Sequence, residues 1–178
     1  ATSAPRLDHQ LASRLPLRIL LVDDNLINQK VAVRLLQQMG YRADIAGNGV
    51  EAIQAAERHP YDLIFMDVQM PGLDGLEATR RLRELQQKAA ADSPLARTLV
   101  IVAMTANAMQ GDREKCVSAG MDDYIPKPVR PEVLQAVVER HGVHLVAHAR
   151  PAGAPRPAPR LTVMPPAEPA ASLETAPV

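Results

Sequence analysis

The chain has 178 residues, with twenty basic against twenty acidic side chains and no long run of either sign, a balance that excludes electrostatic capture of nucleic acid or of a membrane surface. Its single cysteine, Cys116, excludes an internal disulfide framework and any multi-cysteine metal site, and suits a reducing compartment, the cytoplasm by default. The length fits one domain with a full core plus a tail, while the polar N-terminus has no apolar core for a signal peptide and no apolar run approaches membrane-spanning length.

Residues 1–15 read as a loose leader. Leu17 to Val22 is a buried strand that ends in Asp23 and Asp24. Asn25 can cap the helix that follows, in which Ile27, Val31, Leu35 and Met39 recur at helical spacing as a stripe facing a sheet, with Gly40 as the stop. Tyr41 to Ala46 is a second strand, closed by the turn Gly47, Asn48, Gly49. A short helix runs through Arg58 with Val50 and Ile53 as its inner face, and Pro60 ends it.

Leu63, Ile64, Phe65 and Met66 form an apolar run too short for a helix and suited to a strand buried on both faces. It stops at Asp67, and the turn residues Met70, Pro71, Gly72, Asp74 and Gly75 put that carboxylate on a rim. Gly75 opens a third helix with Leu76, Leu82 and Leu85 inward and Arg80, Arg81, Arg83 and Lys88 in water. After a loop over 89–96, Leu99 to Met104 is another buried strand, ending at Thr105. A fourth helix over 110–119 stops at Gly120, and Tyr124 with Ile125 makes a last strand before Pro126, Lys127 and Pro128. Pro131 suits the first turn of a fifth helix that includes Val133, Leu134, Val137 and Val138 and fades near Gly142.

Five repeats of strand then helix imply an α/β fold, a parallel sheet covered on both faces with right-handed crossovers. The predicted domain spans residues 16–142. Residues 143–178 read as a flexible Pro/Ala-rich linker, since eight of the sixteen prolines lie beyond Arg150. Starting at Ala1 and ending in low-complexity sequence, the chain reads as a piece of a longer protein, whose membrane anchor, if it has one in the inner membrane, would lie outside this segment.

Asp23, Asp24, Asp67, Thr105 and Lys127 all fall at carboxyl ends of strands, where open parallel sheets build their ligand crevice. Three clustered carboxylates repel one another unless a cation intervenes. Mg²⁺ is the natural ion, being hard and served by carboxylates without imidazole or thiolate. Lys127 supplies a point charge and Thr105 a hydroxyl donor, the groups that hold phosphoryl oxygens during in-line transfer, which leaves Asp67 as the nucleophile.

The motifs DD at Asp23 and Asp24, MDVQMPGLDG around Asp67, MTA at Thr105 and DDYIPKP around Lys127 resemble the response-regulator receiver domain over about two thirds of the chain. The resemblance implies a flavodoxin-like (CheY-like) doubly wound five-stranded parallel sheet of order 2-1-3-4-5 with five helices. It implies that Asp67 accepts phosphate, that Asp24 binds Mg²⁺ directly and Asp23 through water, that the Gln69 backbone carbonyl is a further metal ligand, and that Thr105 and Lys127 hold the phosphoryl group. It also implies a cis peptide between Lys127 and Pro128, and a switch in which Thr105 and Tyr124 move together.

The output face would then be the helix over 110–119, the last strand and the helix after Pro131, with Ala108, Met109, Met121 and Val133 as contacts. The wording MTANAM and GMDDYIPKPV is similar to receivers inside hybrid sensor histidine kinases, the quorum-sensing type being the nearest. The implied partners are a histidine kinase domain and a histidine phosphotransfer domain, in the same chain or another, with no nucleic acid and no membrane contact by this segment. In such a domain the protein catalyses its own phosphorylation and dephosphorylation, and the parent chain is a phosphotransferase.

Rival chemistries lack their signatures. A dehalogenase-type phosphatase needs a second Asp where Gln69 stands, and neither a phosphate-binding Gly-Lys-Ser/Thr loop nor a dinucleotide glycine fingerprint is present. The remaining alternative is a receiver fold that docks proteins without phosphorylation, against which the complete set of site residues argues. The histidines at 9, 59, 141, 144 and 148 read as surface residues. Met66, Met70, Met104, Met109 and Met121 read as core and loop packing, and Cys116 as a quiet helix residue.

Overall fold

The computed structural model describes residues 6–106 and 109–149. Its strands form where the apolar runs stand: β1 Ile19–Val22, β2 Ala43–Ala46, β3 Leu63–Asp67, β4 Val100–Thr105 and β5 Asp123–Pro126. All pair in parallel in the order β2-β1-β3-β4-β5, so the central β3 lies between β1 and β4. Because successive side chains in a strand point to opposite faces, one face presents Ile19, Leu21, Leu63, Phe65, Val102 and Met104. The other presents Leu20, Val22, Ile64, Met66, Ile101 and Ala103. Both faces are covered, which is why these strands read as continuous apolar runs rather than alternating ones.

Helices α1 Leu11–Arg14, α2 Leu26–Gln38 and α6 Pro131–Ala149 close over the first face. Helices α3 Gly49–Arg58, α4 Gly75–Lys88 and α5 Gln110–Ala119 close over the second. Asn25 caps α2 as anticipated, accepting from the amides of Ile27 and Asn28, and two residues expected only in turns cap the next helices, Asn48 accepting from Glu51 in α3 and Asp74 from Glu77 in α4. Gly120 ends α5 in the left-handed region at φ 101°, where a side chain would be strained.

The described residues hold six helices rather than five, because the expected leader contributes α1. Leu11 is wholly buried, the Ala12 amide donates to the Met39 carbonyl at 3.1 Å, and the Tyr41 hydroxyl donates to the Leu15 carbonyl at 2.7 Å. Nor does the last helix fade near Gly142. It continues to Ala149 and buries Leu145. Gly142 is a close-approach point, since a Cβ there would meet the Leu15 and Leu17 side chains at 3.0 and 3.2 Å. The packed unit is therefore wider at both ends than residues 16–142.

Three helix faces also differ from their sequence reading. In α2, Ile27 is 72% exposed and Val31 47%, and the residues facing the sheet are Gln29, Ala32 and Leu36, while Leu35 and Met39 of the expected stripe do reach the core. In α3, Val50 is exposed while Ala52, Ala55 and Ala56 face inward. Small residues, Ala32 in α2 and the three alanines of α3, let a helix approach a sheet closely, so packing overrode part of the larger apolar stripe. In α4, Arg80, Arg81 and Lys88 are solvated but Arg83 is not. Its guanidinium donates to the carbonyls of Leu99 at 2.8 Å and Gly120 at 2.9 Å and to the Asp122 carboxylate at 2.7 Å, tying α4 to the entry of β4 and the turn before β5.

Candidate functional site

The carboxyl ends of β1, β3 and β4 lie side by side, and each delivers one polar residue to the same rim. Val22 pairs with Met66 in register, so Asp23 follows β1 where Asp67 closes β3, and Asp67 pairs in turn with Met104, one residue before Thr105. Lys127 follows edge strand β5, where the Thr105 carbonyl accepts from its amide at 2.8 Å. The Lys127–Pro128 peptide is cis, as the resemblance implied.

From this position the Lys127 ammonium reaches across β4 and β3, 2.9 Å from Asp67 Oδ2 and 3.0 Å from Asp23 Oδ2. Both carboxylates are buried and Asp24 is exposed beside them, with ligand oxygens of the three within 4.8 Å of one another. The remaining oxygens are held by the backbone: the Gln69 amide donates to Asp67 Oδ1 at 3.1 Å and the Asn25 amide to Asp23 Oδ1 at 2.8 Å. Thr105 is buried at the end of β4.

Burial pushes the Asp67 carboxyl above its ordinary value, Asp23's charge adds to this, and Lys127 works against it. For Lys127 burial opposes the charged form, but the hydrogen bonds to Asp67 and Asp23 outweigh it and hold the ammonium more firmly protonated than usual. The result is an oxygen-rich, partly desolvated site with one fixed positive charge. The donor set is oxygen only, which fits Mg²⁺ and offers nothing to a thiolate- or imidazole-seeking metal. Asp23, Asp24 and Asp67 would hold such an ion.

Every rim residue proposed from the sequence is thus brought together, Thr105 through its backbone link to Lys127. The sequence reading missed the residues that orient Asp23. Gln29, although polar, is buried because its amide nitrogen donates to the Asp23 carbonyl at 2.5 Å, and the Asn28 amide nitrogen lies 3.4 Å from Asp23 Oδ1. Their spacing of five and six residues after Asp23 is the signal that could have found them, since it places both on the first turns of a helix that starts at the rim.

The surroundings bring further corrections. Met109 is 75% exposed rather than packed, whereas Met121, expected as a contact on the output face, is buried in the core. Ala108 lies outside the described residues. His141, expected at the surface, is largely buried and its Nε2 lies 2.9 Å from Asp123 Oδ2. Tyr124 pairs in register with Ala103, two residues before Thr105 in β4, and is half-buried, with the Arg113 guanidinium 5.3 Å from its ring centroid. A cleft of about 560 Å³ flanks the Asp67 loop, lined by Val68, Gln69, Met70, Asp74, Asp112 and Lys115 among others. Among the described residues no helix is long and apolar enough to cross a membrane.

Residues 19–139 match the family model described as the response regulator receiver domain. The chain is 44% identical over 128 residues to hybrid signal transduction histidine kinase B of Dictyostelium discoideum, a match that covers 70% of this chain but only 6% of that protein. Among solved structures it is similar to the receiver domain of sensor histidine kinase PA1611 from Pseudomonas aeruginosa PAO1, which has a magnesium ion coordinated in its active site cleft. That likeness has a TM-score of 0.61 at 43% identity and covers 71% of this chain and 98% of that one. It is also similar, with a TM-score of 0.64 at 32% identity over 71% of this chain and 89% of the other, to a complex from Saccharomyces cerevisiae. That complex joins the histidine phosphotransfer signaling protein Ypd1 to the receiver domain of its downstream response regulator Ssk1.

Proposed function

We propose that this chain, which belongs to the response regulator receiver domain family, takes a phosphoryl group from a phosphohistidine onto Asp67 and either switches a partner with it or passes it to another histidine. The observation that carries this is the Lys127 ammonium held 2.9 Å from Asp67 and 3.0 Å from Asp23 at the mouth of the central strand. An Asp67 oxygen forms the new P–O bond as the donor's P–N bond breaks, and the donor ring, already protonated on its other nitrogen, leaves with the bonding pair as neutral imidazole. Lys127 then exchanges a carboxylate oxygen for a phosphoryl oxygen, and Thr105 offers its hydroxyl to another. Mg²⁺, held by Asp23, Asp24 and Asp67 with the Gln69 carbonyl, would neutralise charge on the phosphoryl oxygens.

The proposed donor and recipient are histidine kinase and histidine phosphotransfer domains. Support comes from Leu26, Ile27 and Val31, which α2 leaves exposed starting two residues after Asp24, an apolar patch at the edge of the site suited to a helical partner. The phosphoryl charge would leave the site as a signal through Thr105, Tyr124 and the α5, β5 and α6 face, with exposed Met109 and half-buried Val133 as contacts.

The test is incubation with a small phosphodonor, with and without Mg²⁺, followed by intact-mass measurement. One phosphoryl adduct that needs Mg²⁺ and vanishes in Asp67→Asn is the expected result. Metal-independent, acid-stable labelling of that variant would refute the assignment.

A further inference from the structure

We propose that Gly75, and behind it Gly49, are positioning residues for the Asp67 loop, because each lets a helix close on that loop at a distance no side chain permits. The proposal rests on Asp67 being the phosphoacceptor and names what holds it in place. Gly75 is the first residue of α4, and a Cβ on it would lie 2.0 Å from the Asp67 carbonyl oxygen, 2.9 Å from the carbonyl carbon and 3.0 Å from Met66 Cγ. The obstacle is the acceptor's own backbone, which cannot swing aside as a side chain would.

That peptide and the next are each held by a backbone hydrogen bond. The Val68 amide donates to the Met104 carbonyl at 3.0 Å, and the Val68 carbonyl accepts from the Gly75 amide at 3.1 Å. On the far side of the loop, a Cβ on Gly49, the first residue of α3, would lie 2.6 Å from the Leu73 carbonyl oxygen and 3.1 Å from Ala78 Cβ of α4. The loop from Val68 to Asp74 is thus pressed by α4 at its start and by α3 near its end.

Relieving the Gly75 contact from 2.0 Å to the 3.0 Å below which real Cβ atoms are essentially never found requires a shift of at least 1.0 Å (3.0 minus 2.0) between α4 and the Asp67 peptide. Val68 and Gln69 ride on the same backbone, and the Gln69 amide is one of the two groups that orient the Asp67 carboxylate. A displacement of about 1 Å at a reacting group costs about 100-fold in rate. The same substitution is harmless where nothing touches. A Cβ on Gly111, in α5, has nothing within 4 Å.

The experiment compares wild type with Gly75→Ala, Gly49→Ala and Gly111→Ala, reading the Mg²⁺-dependent labelling rate by a small phosphodonor, thermal unfolding, and the backbone amide NMR shifts of Val68, Gln69 and Met104. Gly75→Ala is expected to label about 100-fold more slowly while remaining folded, with those three amides shifted. Gly49→Ala should slow labelling to a lesser degree with the Gln69 amide shifted, and Gly111→Ala should match wild type. A folded Gly75→Ala with wild-type labelling and unshifted amides overturns the proposal. If Gly75→Ala does not fold, the same two readings on Gly49→Ala decide it. If wild type itself is not labelled, the phosphoacceptor reading fails instead, and the amide shifts of the variants decide the positioning role alone.

Discussion

Replacing Lys127 by methionine keeps most of the side chain's bulk and removes its charge. In the wild type that charge lies 2.9 and 3.0 Å from two carboxylates that are themselves buried. At an effective dielectric constant of about 20, two like charges no more than 4.8 Å apart repel by about 3.5 kcal/mol or more, and each lost attraction is of the order of 5 kcal/mol before desolvation is counted. Removing one partner of a buried ion pair costs about 3–5 kcal/mol by measurement, and that is the expected loss for Lys127→Met in the absence of divalent metal. It would be about a fifth or more of the stability of an ordinary domain, which is about 5–15 kcal/mol.

The loss also has a predictable pH dependence. Asp67 is already raised by burial, and losing Lys127 removes the group that opposes the rise. A carboxyl whose folded value lies above its unfolded value is most favourable to folding when protonated. Its contribution is complete below the unfolded value of about 3.9 and is lost as pH climbs through the folded value. The variant's deficit should therefore be largest near neutral pH and shrink to little in acid. Mg²⁺ should restore more stability to the variant than to wild type, because in the wild type it competes with the ammonium for the same oxygens. Urea unfolding with EDTA or with millimolar Mg²⁺, at neutral and acid pH, measures all three. A deficit below about 1 kcal/mol at neutral pH, or an equal Mg²⁺ effect on both proteins, would refute the reasoning.

Arg83→Ala should lower stability by about 2–3 kcal/mol, because the Leu99 and Gly120 carbonyls and Asp122 lose charged donors. Its phosphoryl labelling should stay as in wild type, since these bonds lie at the opposite end of the strands from Asp67; a denaturant midpoint equal to wild type would restore the view of Arg83 as a solvated residue. Burial raises the Tyr41 and Tyr61 hydroxyls above the ordinary tyrosine value, so wild type should lose up to about 1.4 kcal/mol per pH unit per tyrosine above pH 10. Tyr61→Phe and Tyr41→Phe should each flatten that decline in unfolding curves recorded at alkaline pH. Ala32→Leu should cost about 1–3 kcal/mol by overpacking the sheet-facing side of α2, whereas Ile27→Ser should change stability by less than about 0.5 kcal/mol. Ile27→Ser should instead slow phosphoryl exchange with a histidine phosphotransfer domain, measured by transfer of radiolabelled phosphate.

The sheet and the acidic rim were legible because they are written locally. A run such as Leu63 to Met66, apolar at every position, has few ways to satisfy both its backbone and its side chains except as a strand covered on both sides, and an acid followed by Pro and Gly must end it. Four such strands ending in Asp, Asp, Thr and Lys therefore announced one cleft, and the motif wording supplied the strand order that brings their ends together. The cap at Asn25 was equally readable, since a cap satisfies amides only two or three residues away.

What the sequence could not determine depends on distances between elements that are remote along the chain. Which face of α2 meets the sheet follows from how close that helix can come: Ala32 permits a close approach that carries Leu36 and Met39 into the core and leaves Ile27 and Val31 outside. Arg83 reads as solvated until the Leu99 carbonyl and the turn at Gly120 to Asp122 are folded against it, and Gln29 goes unnoticed until the Asp23 carbonyl is there to receive its side-chain amide. Leu11 and Leu145, on either side of the expected boundaries, are claimed by the same apolar surface from opposite ends of the chain. Gly75 looks like a turn residue in the sequence, and only the folded chain, by setting α4 against the backbone of Asp67, makes the absence of a single methyl group a condition of where the acceptor stands.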